Sequence, residues 1–164
     1  MAADTGNINL GFLSDKVVKL SKAARGTIFV LDKIAEELFF VIDTPAGKKE
    51  LRMPLTNKSM AGAAIINSEL INIPDCYQDP RFDPTMDKRT GFHTTQMLCV
   101  PVTDSEDIAI GAIQIINTDH GGPFTEHDVE LLKAFRVYVQ IAIMNNKASI
   151  ARDHAVWLAN EVEG

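Results

Sequence analysis

The chain has 164 residues, 46% of them apolar and 23% charged, and a net charge of −6. These values suit one folded domain and exclude a disordered chain. The acidic balance argues against a nucleic-acid binder, which needs a basic face for phosphates, and no stretch approaches the ~20 apolar residues of a membrane helix.

The pattern from Asp4 to Ala24 predicts a helix, with Ile8, Phe12, Leu13, Val17 and Leu20 at steps of three or four and Asp4 or Thr5 as its cap. Lys16, Lys19, Lys22 and Arg25 share a near-helical spacing and read as one solvated face. Three strands follow: Thr27 to Leu31, Glu37 to Ile42, and Lys48 to Leu55, with a turn over Asp43–Gly47. Their close succession predicts an antiparallel meander. A short helix over Asn57–Ile66, capped by Thr56 or Asn57, carries the small residues Ala61, Gly62 and Ala63.

The segment from Glu69 to His93 is long, with Pro74, Pro80 and Pro84 and with Asp75, Asp79, Asp83 and Asp87. Such a loop is expected to be functional. Asp83 as cap, Pro84 at the first position and Gly91 after the end predict a small helix within it. Ile73, Tyr77, Phe82 and Phe92 anchor it as an ordered lid. Met97–Val102 and Ile108–Asn117 read as a buried hairpin, and Thr125 caps a long helix buried through Leu131, Leu132, Phe135, Val139, Ala142 and Ile143. That pattern runs on past Asn146 towards Trp157 and Val162, a length suited to a connector or a dimer seam. The order of elements is α+β with a mainly antiparallel sheet.

No residue set predicts catalysis or a metal. The lid aspartates lack EF-hand spacing, and His93, His120, His127 and His154 make no zinc pattern. There is no nucleophile elbow and no phosphate-binding glycine loop. Cys76 and Cys99 lie in or beside apolar runs and read as buried, reduced thiols of a cytoplasmic protein. The N-terminus has no basic and apolar regions of a secretory signal. What remains is a pocket under the lid, floored by the strand that bears Gln114. Thr90 and Thr94 flank Gly91 at i and i+4; they either bond a ligand's base or ribose or merely finish the lid helix.

The strings Leu70-Ile-Asn-Ile-Pro-Asp-Cys-Tyr77, Asp79-Pro-Arg-Phe82, Asp87-Lys-Arg-Thr-Gly-Phe-His-Thr94 and Met97-Leu-Cys-Val-Pro101 resemble a GAF domain, specifically the regulatory GAF domains of cyclic nucleotide phosphodiesterases. Ile110–Asn117 and Phe124–Asp128 extend the resemblance, which covers Ser21 to Asn146. It implies a central six-stranded antiparallel sheet with helices on one face and a ligand-covering lid on the other. It divides the chain into an N-terminal helix (1–25), the GAF domain (21–146) and a C-terminal connecting helix (147–164). It further implies allosteric binding of cAMP or cGMP, with no other cofactor and no metal, and a catalytic domain downstream in a longer chain. A homodimer through the terminal helices is the expected assembly. By position, the nucleotide contacts fall on Thr27, Ile42, Asp43, Met60, Ala61, Asp83, Asp87, Thr90, Thr94 and Gln114. Gln114, an amide, leans towards cAMP. The family's Asn-Lys…Phe-x-x-x-Asp-Glu signature persists as Asn117, Phe124 and Asp128, with Thr118 in place of the lysine and Val129 in place of the last acid. The alternative is a dimerisation module with a degenerate, non-binding pocket.

Overall fold

A computed structural model describes residues 9–145. Helix α1 (Leu10–Ser21) leads into a meander of β1 (Arg25–Asp32), β2 (Glu37–Thr44) and β3 (Gly47–Pro54). Helix α2 (Met60–Asn67) precedes a short strand β4 (Ile71–Ile73), a single 3-10 turn (Cys76–Gln78) and helix α3 (Thr85–Thr90). The hairpin of β5 (Met97–Thr103) and β6 (Ala109–Ile116) then feeds the long helix α4 (Glu126–Asn145). The six strands form one sheet in the order β3-β2-β1-β6-β5-β4, every neighbour antiparallel. The α+β architecture and the six-stranded antiparallel sheet agree with the expectation.

Alternation along the strands splits the core into two layers. Ile28, Val30, Leu98, Val100, Ile113 and Ile115 face α1 and α4, where Val17, Leu132, Phe135, Val139 and Ile143 meet them. Phe29, Leu38, Met97, Cys99 and Ala112 face the other way, towards α2, Ile71, Ile73 and Cys76. The lid face therefore carries a helix of its own: α2 packs there with Met60, Ala61, Ala63, Ala64 and Ile65.

Local chemistry fixes where elements begin. Asn9 caps α1, its side-chain oxygen accepting the Phe12 N–H at 3.0 Å; the cap expected at Asp4 or Thr5 lies outside the described residues. The buried face of α1 is Leu10, Gly11, Ser14 and Val17, whereas Phe12 and Leu20 are exposed. A glycine on each side lets helix and sheet approach closely: a Cβ on Gly11 of α1 would sit 2.4 Å from the Lys48 stem, and one on Gly26 of β1 would sit 2.9 Å from both Val17 and Val18. Helix α2 starts later than expected, because Ser59 accepts the Gly62 N–H at 3.0 Å while Thr56 closes a turn onto the Lys58 N–H. Gly62 has no substitute there, since a Cβ would fall 2.0 Å from the Thr56 carbonyl oxygen. Thr125 and Asp128 cap α4 reciprocally, the Thr125 N–H donating to Asp128 at 2.8 Å and the Asp128 N–H to the Thr125 hydroxyl at 3.3 Å. Leu131 and Ala142 are only half-buried, at the flanks of the apolar stripe. The expected run of helix beyond Asn146 lies outside the described residues.

Candidate functional site

The two central strands are buried along most of their length. On the lid face they become half-exposed at Thr27, Gln114 and Ile116. Thr27 and Gln114 are register partners on β1 and β6, and the row continues through Cys99 and Ile71 on β5 and β4. Cys99 and Ile71 are buried and apolar in character, so the row presents two polar side chains at the middle of an apolar floor. Among the described residues neither the Thr27 hydroxyl nor the Gln114 amide has a hydrogen-bond partner. Met60 and Ala61 open α2 on this same face and are buried.

The lid covers this side. Asp87 is buried and is its internal latch: its carboxylate accepts the Thr94 N–H at 2.7 Å, the Thr94 hydroxyl at 2.8 Å and the Tyr77 hydroxyl at 2.8 Å. Desolvation alone would push the Asp87 pKa up, yet these donors, with His93 nearby, outweigh it and hold the carboxyl below its ordinary value. Tyr77 stacks on His93 with ring centroids 4.5 Å apart and tilts against Phe82 at 5.1 Å. Asp79 and Arg81 form a forked pair at 3.1 and 3.0 Å, which lowers the Asp79 pKa. Asp83 turns the chain into α3 by accepting the Thr85 N–H at 2.9 Å and the Thr85 hydroxyl, and those bonds lower its pKa. Pro84 is the residue before the helix, and Gly91 ends it at φ +78°.

The sequence-derived residues thus divide. Thr27, Gln114, Met60 and Ala61 lie on the lid face of the sheet layer, and Asp83, Asp87, Thr90 and Thr94 lie in the lid. Ile42 joins the lid face by alternation from Leu38 and Phe40, but it is exposed, two strands from Gln114. Asp43, the next residue, turns to the α1 face. There it accepts from Lys48 at 2.6 Å, and Lys48 in turn reaches Asp15 of α1. Asp43 is therefore not brought together with the others. Thr90 is exposed and donates its hydroxyl to the Met86 carbonyl at 2.9 Å, finishing the helix; Thr94 is buried and serves the Asp87 latch.

Two groups escaped the sequence reading. Arg25 opens β1 on the lid face and lies over the Phe92 ring, 3.8 Å from its centroid. Gln96, buried at the lid's end, donates to the Gly121 carbonyl at 2.7 Å and accepts the Thr118 N–H at 3.1 Å. Asn117, at φ +61°, accepts the Thr95 N–H at 2.6 Å and donates to the His93 carbonyl at 2.8 Å. Thr118 donates to the Gly122 carbonyl at 2.7 Å, and Val129 is buried in the core. A neutral network thus surrounds Thr118, where the signature carries its lysine.

Both cysteines are free and buried, and desolvation pushes each thiol up to about 12. Such thiols are poor nucleophiles at neutral pH. In the folded chain neither is expected to react with a thiol-specific reagent within minutes at pH 7.5, while both should react on addition of denaturant; absorbance of the released thiolate reads this directly. Among the described residues no cluster of His, Cys, Asp or Glu could hold a metal ion, and no helix is long and apolar enough to cross a membrane.

Comparison with known proteins places this geometry. The GAF domain family matches residues 13–143. A dual 3',5'-cyclic-AMP and -GMP phosphodiesterase 11A of Takifugu rubripes is 39% identical over 97 residues, covering 58% of this chain and 11% of that protein. A probable 3',5'-cyclic phosphodiesterase of Caenorhabditis elegans is 31% identical over 141 residues, 79% of this chain and 19% of the relative. The chain thus spans between about a tenth and a fifth of the length of these relatives. Among solved structures, residues 122–287 of a methyl-accepting chemotaxis protein superpose with a TM-score of 0.66 at 18% identity, over 83% of this chain and 87% of that one. A free methionine-R-sulfoxide reductase from Neisseria meningitidis gives 0.65 at 16% identity, over 90% and 84%. At such identities the likeness establishes the fold alone. The family match, the six-stranded sheet and the lid together establish that the chain belongs to the GAF domain family and is related to segments of cyclic nucleotide phosphodiesterases.

Proposed function

We propose that this chain binds a cyclic nucleotide between lid and sheet, cAMP in preference to cGMP, and that binding regulates a phosphodiesterase catalytic domain elsewhere in a longer cytoplasmic protein. The observation that carries the reading is the Thr27–Gln114 pair, half-buried and unpartnered on an apolar floor. Both side chains are half-exposed and make no bond within the described residues, so a ligand edge can pair with them without breaking a protein hydrogen bond. An amide offers an acceptor beside a donor, which matches adenine's amino group and ring nitrogen. Guanine's two adjacent donors suit a carboxylate, but Asp43 faces α1 and Asp87 is fully engaged by Thr94 and Tyr77. Both nucleotides appear in the relatives' names, so the preference rests on Gln114. In this reading residues 21–146 form the binding domain, and residues 147–164 connect it to the output. Ligand favours the closed lid by its differential affinity for that state. In this reading the hydrolytic chemistry belongs to that other domain.

Thermal unfolding with and without nucleotide is the test. Ligand at a hundred times its dissociation constant adds about 2.7 kcal/mol, which raises the midpoint of a domain of this size by roughly 5–10 °C. A shift with cAMP that exceeds the shift with cGMP, and is lost in Gln114→Leu, supports the proposal. Equal or absent shifts at millimolar ligand overturn it.

A second reading has its own observation. Val137, Tyr138, Ile141 and Met144 form an exposed apolar stripe along α4, continuous with the end of the described chain. A second copy of this chain fits such a self-complementary stripe, and the domain then serves as a dimerisation module. A monomer by sedimentation at micromolar concentration removes that reading.

A further inference from the structure

We propose that Arg25 is the clasp of the lid: by stacking on Phe92 it holds the lid's return segment, residues 91–96, against the head of β1 and so sets how long a ligand stays beneath it. The ligand arm of this inference rests on the binding reading above; the clasp itself does not.

Residues 91–96 have no regular secondary structure. Within the lid His93 stacks on Tyr77 and Thr94 meets the Asp87 carboxylate; the ties to the rest of the domain lie at the far end, where Thr95 and the His93 carbonyl meet Asn117 and Gln96 meets Gly121 and Thr118. At the near end stands Gly91, exposed and at φ +78°, whose N–H donates to the Asp87 carbonyl at 2.8 Å within the lid and so adds no tie to the sheet. The Phe92 N–H makes only a long bond, 3.3 Å, to the Thr90 hydroxyl within the lid itself. The contact that ties Phe92 to the sheet is Arg25, 3.8 Å from the ring centroid. Among the described residues that guanidinium has no carboxylate partner, so no acid competes with the ring for it.

The other side of the clasp is rigid. The Ala24 N–H donates to both the Ile116 and Asn117 carbonyls, at 3.1 and 3.0 Å. Gly26 lies under α1, pressed against Val17 and Val18. Arg25 is thus a long arm on a fixed base, next but one to Thr27 on the floor. The planar guanidinium matters, because an ammonium stacks less well on a ring.

The test is amide hydrogen exchange on the ligand-free 164-residue chain, with Arg25→Ala, Arg25→Lys, Phe92→Leu and the Arg25→Ala/Phe92→Leu double variant. Exchange at residues 91–96 is expected to rise about two- to fivefold in Arg25→Ala, the range of an exposed cation–ring contact, less in Arg25→Lys, and no further in the double variant. Exchange in α4 stays unchanged. If cAMP binds, Arg25→Ala speeds its dissociation by the same factor and leaves its association rate unaltered. No change at 91–96, an equal rise throughout the protein, or additive effects of the two single variants each overturn the clasp. If no nucleotide binds, the exchange data still decide it.

Discussion

Replacing Asp87 with alanine is expected to unlatch the lid, at a cost of about 3 kcal/mol and roughly a hundredfold in the lid's opening equilibrium. The carboxylate gathers three donors, and two of them belong to Thr94, which is 4% exposed. Removing the acceptor strands the Thr94 N–H and hydroxyl away from water, and a charged acceptor is worth more than a neutral one. Loss of exchange protection at the Thr94 amide, with protection in α4 retained, is the measurement. Asp87→Asn should recover only part of the loss, because its amino group faces donors. The pH dependence follows from the lowered pKa: donors outweigh desolvation, so the folded value lies below the unfolded one, about 3.9. The latch's contribution is therefore complete above the unfolded value and is lost as pH falls through the folded value. The lid stays latched across the neutral range and loosens only in acid, which the Thr94 amide resonance reports between pH 7 and pH 2.

The second large effect belongs to the opposite face. Leu132 is fully buried between α4 and the sheet, amid Val100, Ile113 and Val139. Leu132→Ala is expected to cost about 2–5 kcal/mol of global stability, the transfer loss plus the void left by a rigid strand layer. The urea midpoint should fall with an unchanged slope. At temperatures where the variant is folded, nucleotide affinity should not change, because α4 and the lid lie on opposite sides of the sheet. Asp87→Ala and Leu132→Ala thus separate local opening from global unfolding.

The difference between these two faces was partly legible in the residues. The meander and the β5–β6 hairpin were visible because each strand carries a long apolar or alternating run. Strand β4 was not, since three residues make no period and its pairing with β5 is long-range. Asp43 shows where positional transfer outran geometry: strict alternation from Phe40 and Ile42 sends the next side chain to the α1 face, where Lys48 waits. Arg25 was hidden by a spacing that continues Lys16, Lys19 and Lys22. The helix ends at Ser21, however, and Lys22 takes the left-handed conformation, φ 61°, so Arg25 begins a strand. The Gln96 network had little local signal, for apart from the adjacent Thr95 hydroxyl its partners come from a turn more than twenty residues away.

The strand order has a kinetic consequence. The central pairing joins β1 to β6, Arg25 opposite Ile116, so the middle of the sheet closes a loop of some ninety residues. β1 can pair with β2 early and β6 with β5, but β1 and β6 cannot meet until the lid, α2 and the β5–β6 hairpin have all left the ribosome. Before that, the first meander exposes Phe29, Leu38 and Ile28, which are buried in the finished fold. A central pairing of such sequence separation slows folding relative to a fold built from local contacts. Substitutions along the β1–β6 seam should therefore retard folding itself, and those confined to the lid should leave its rate untouched.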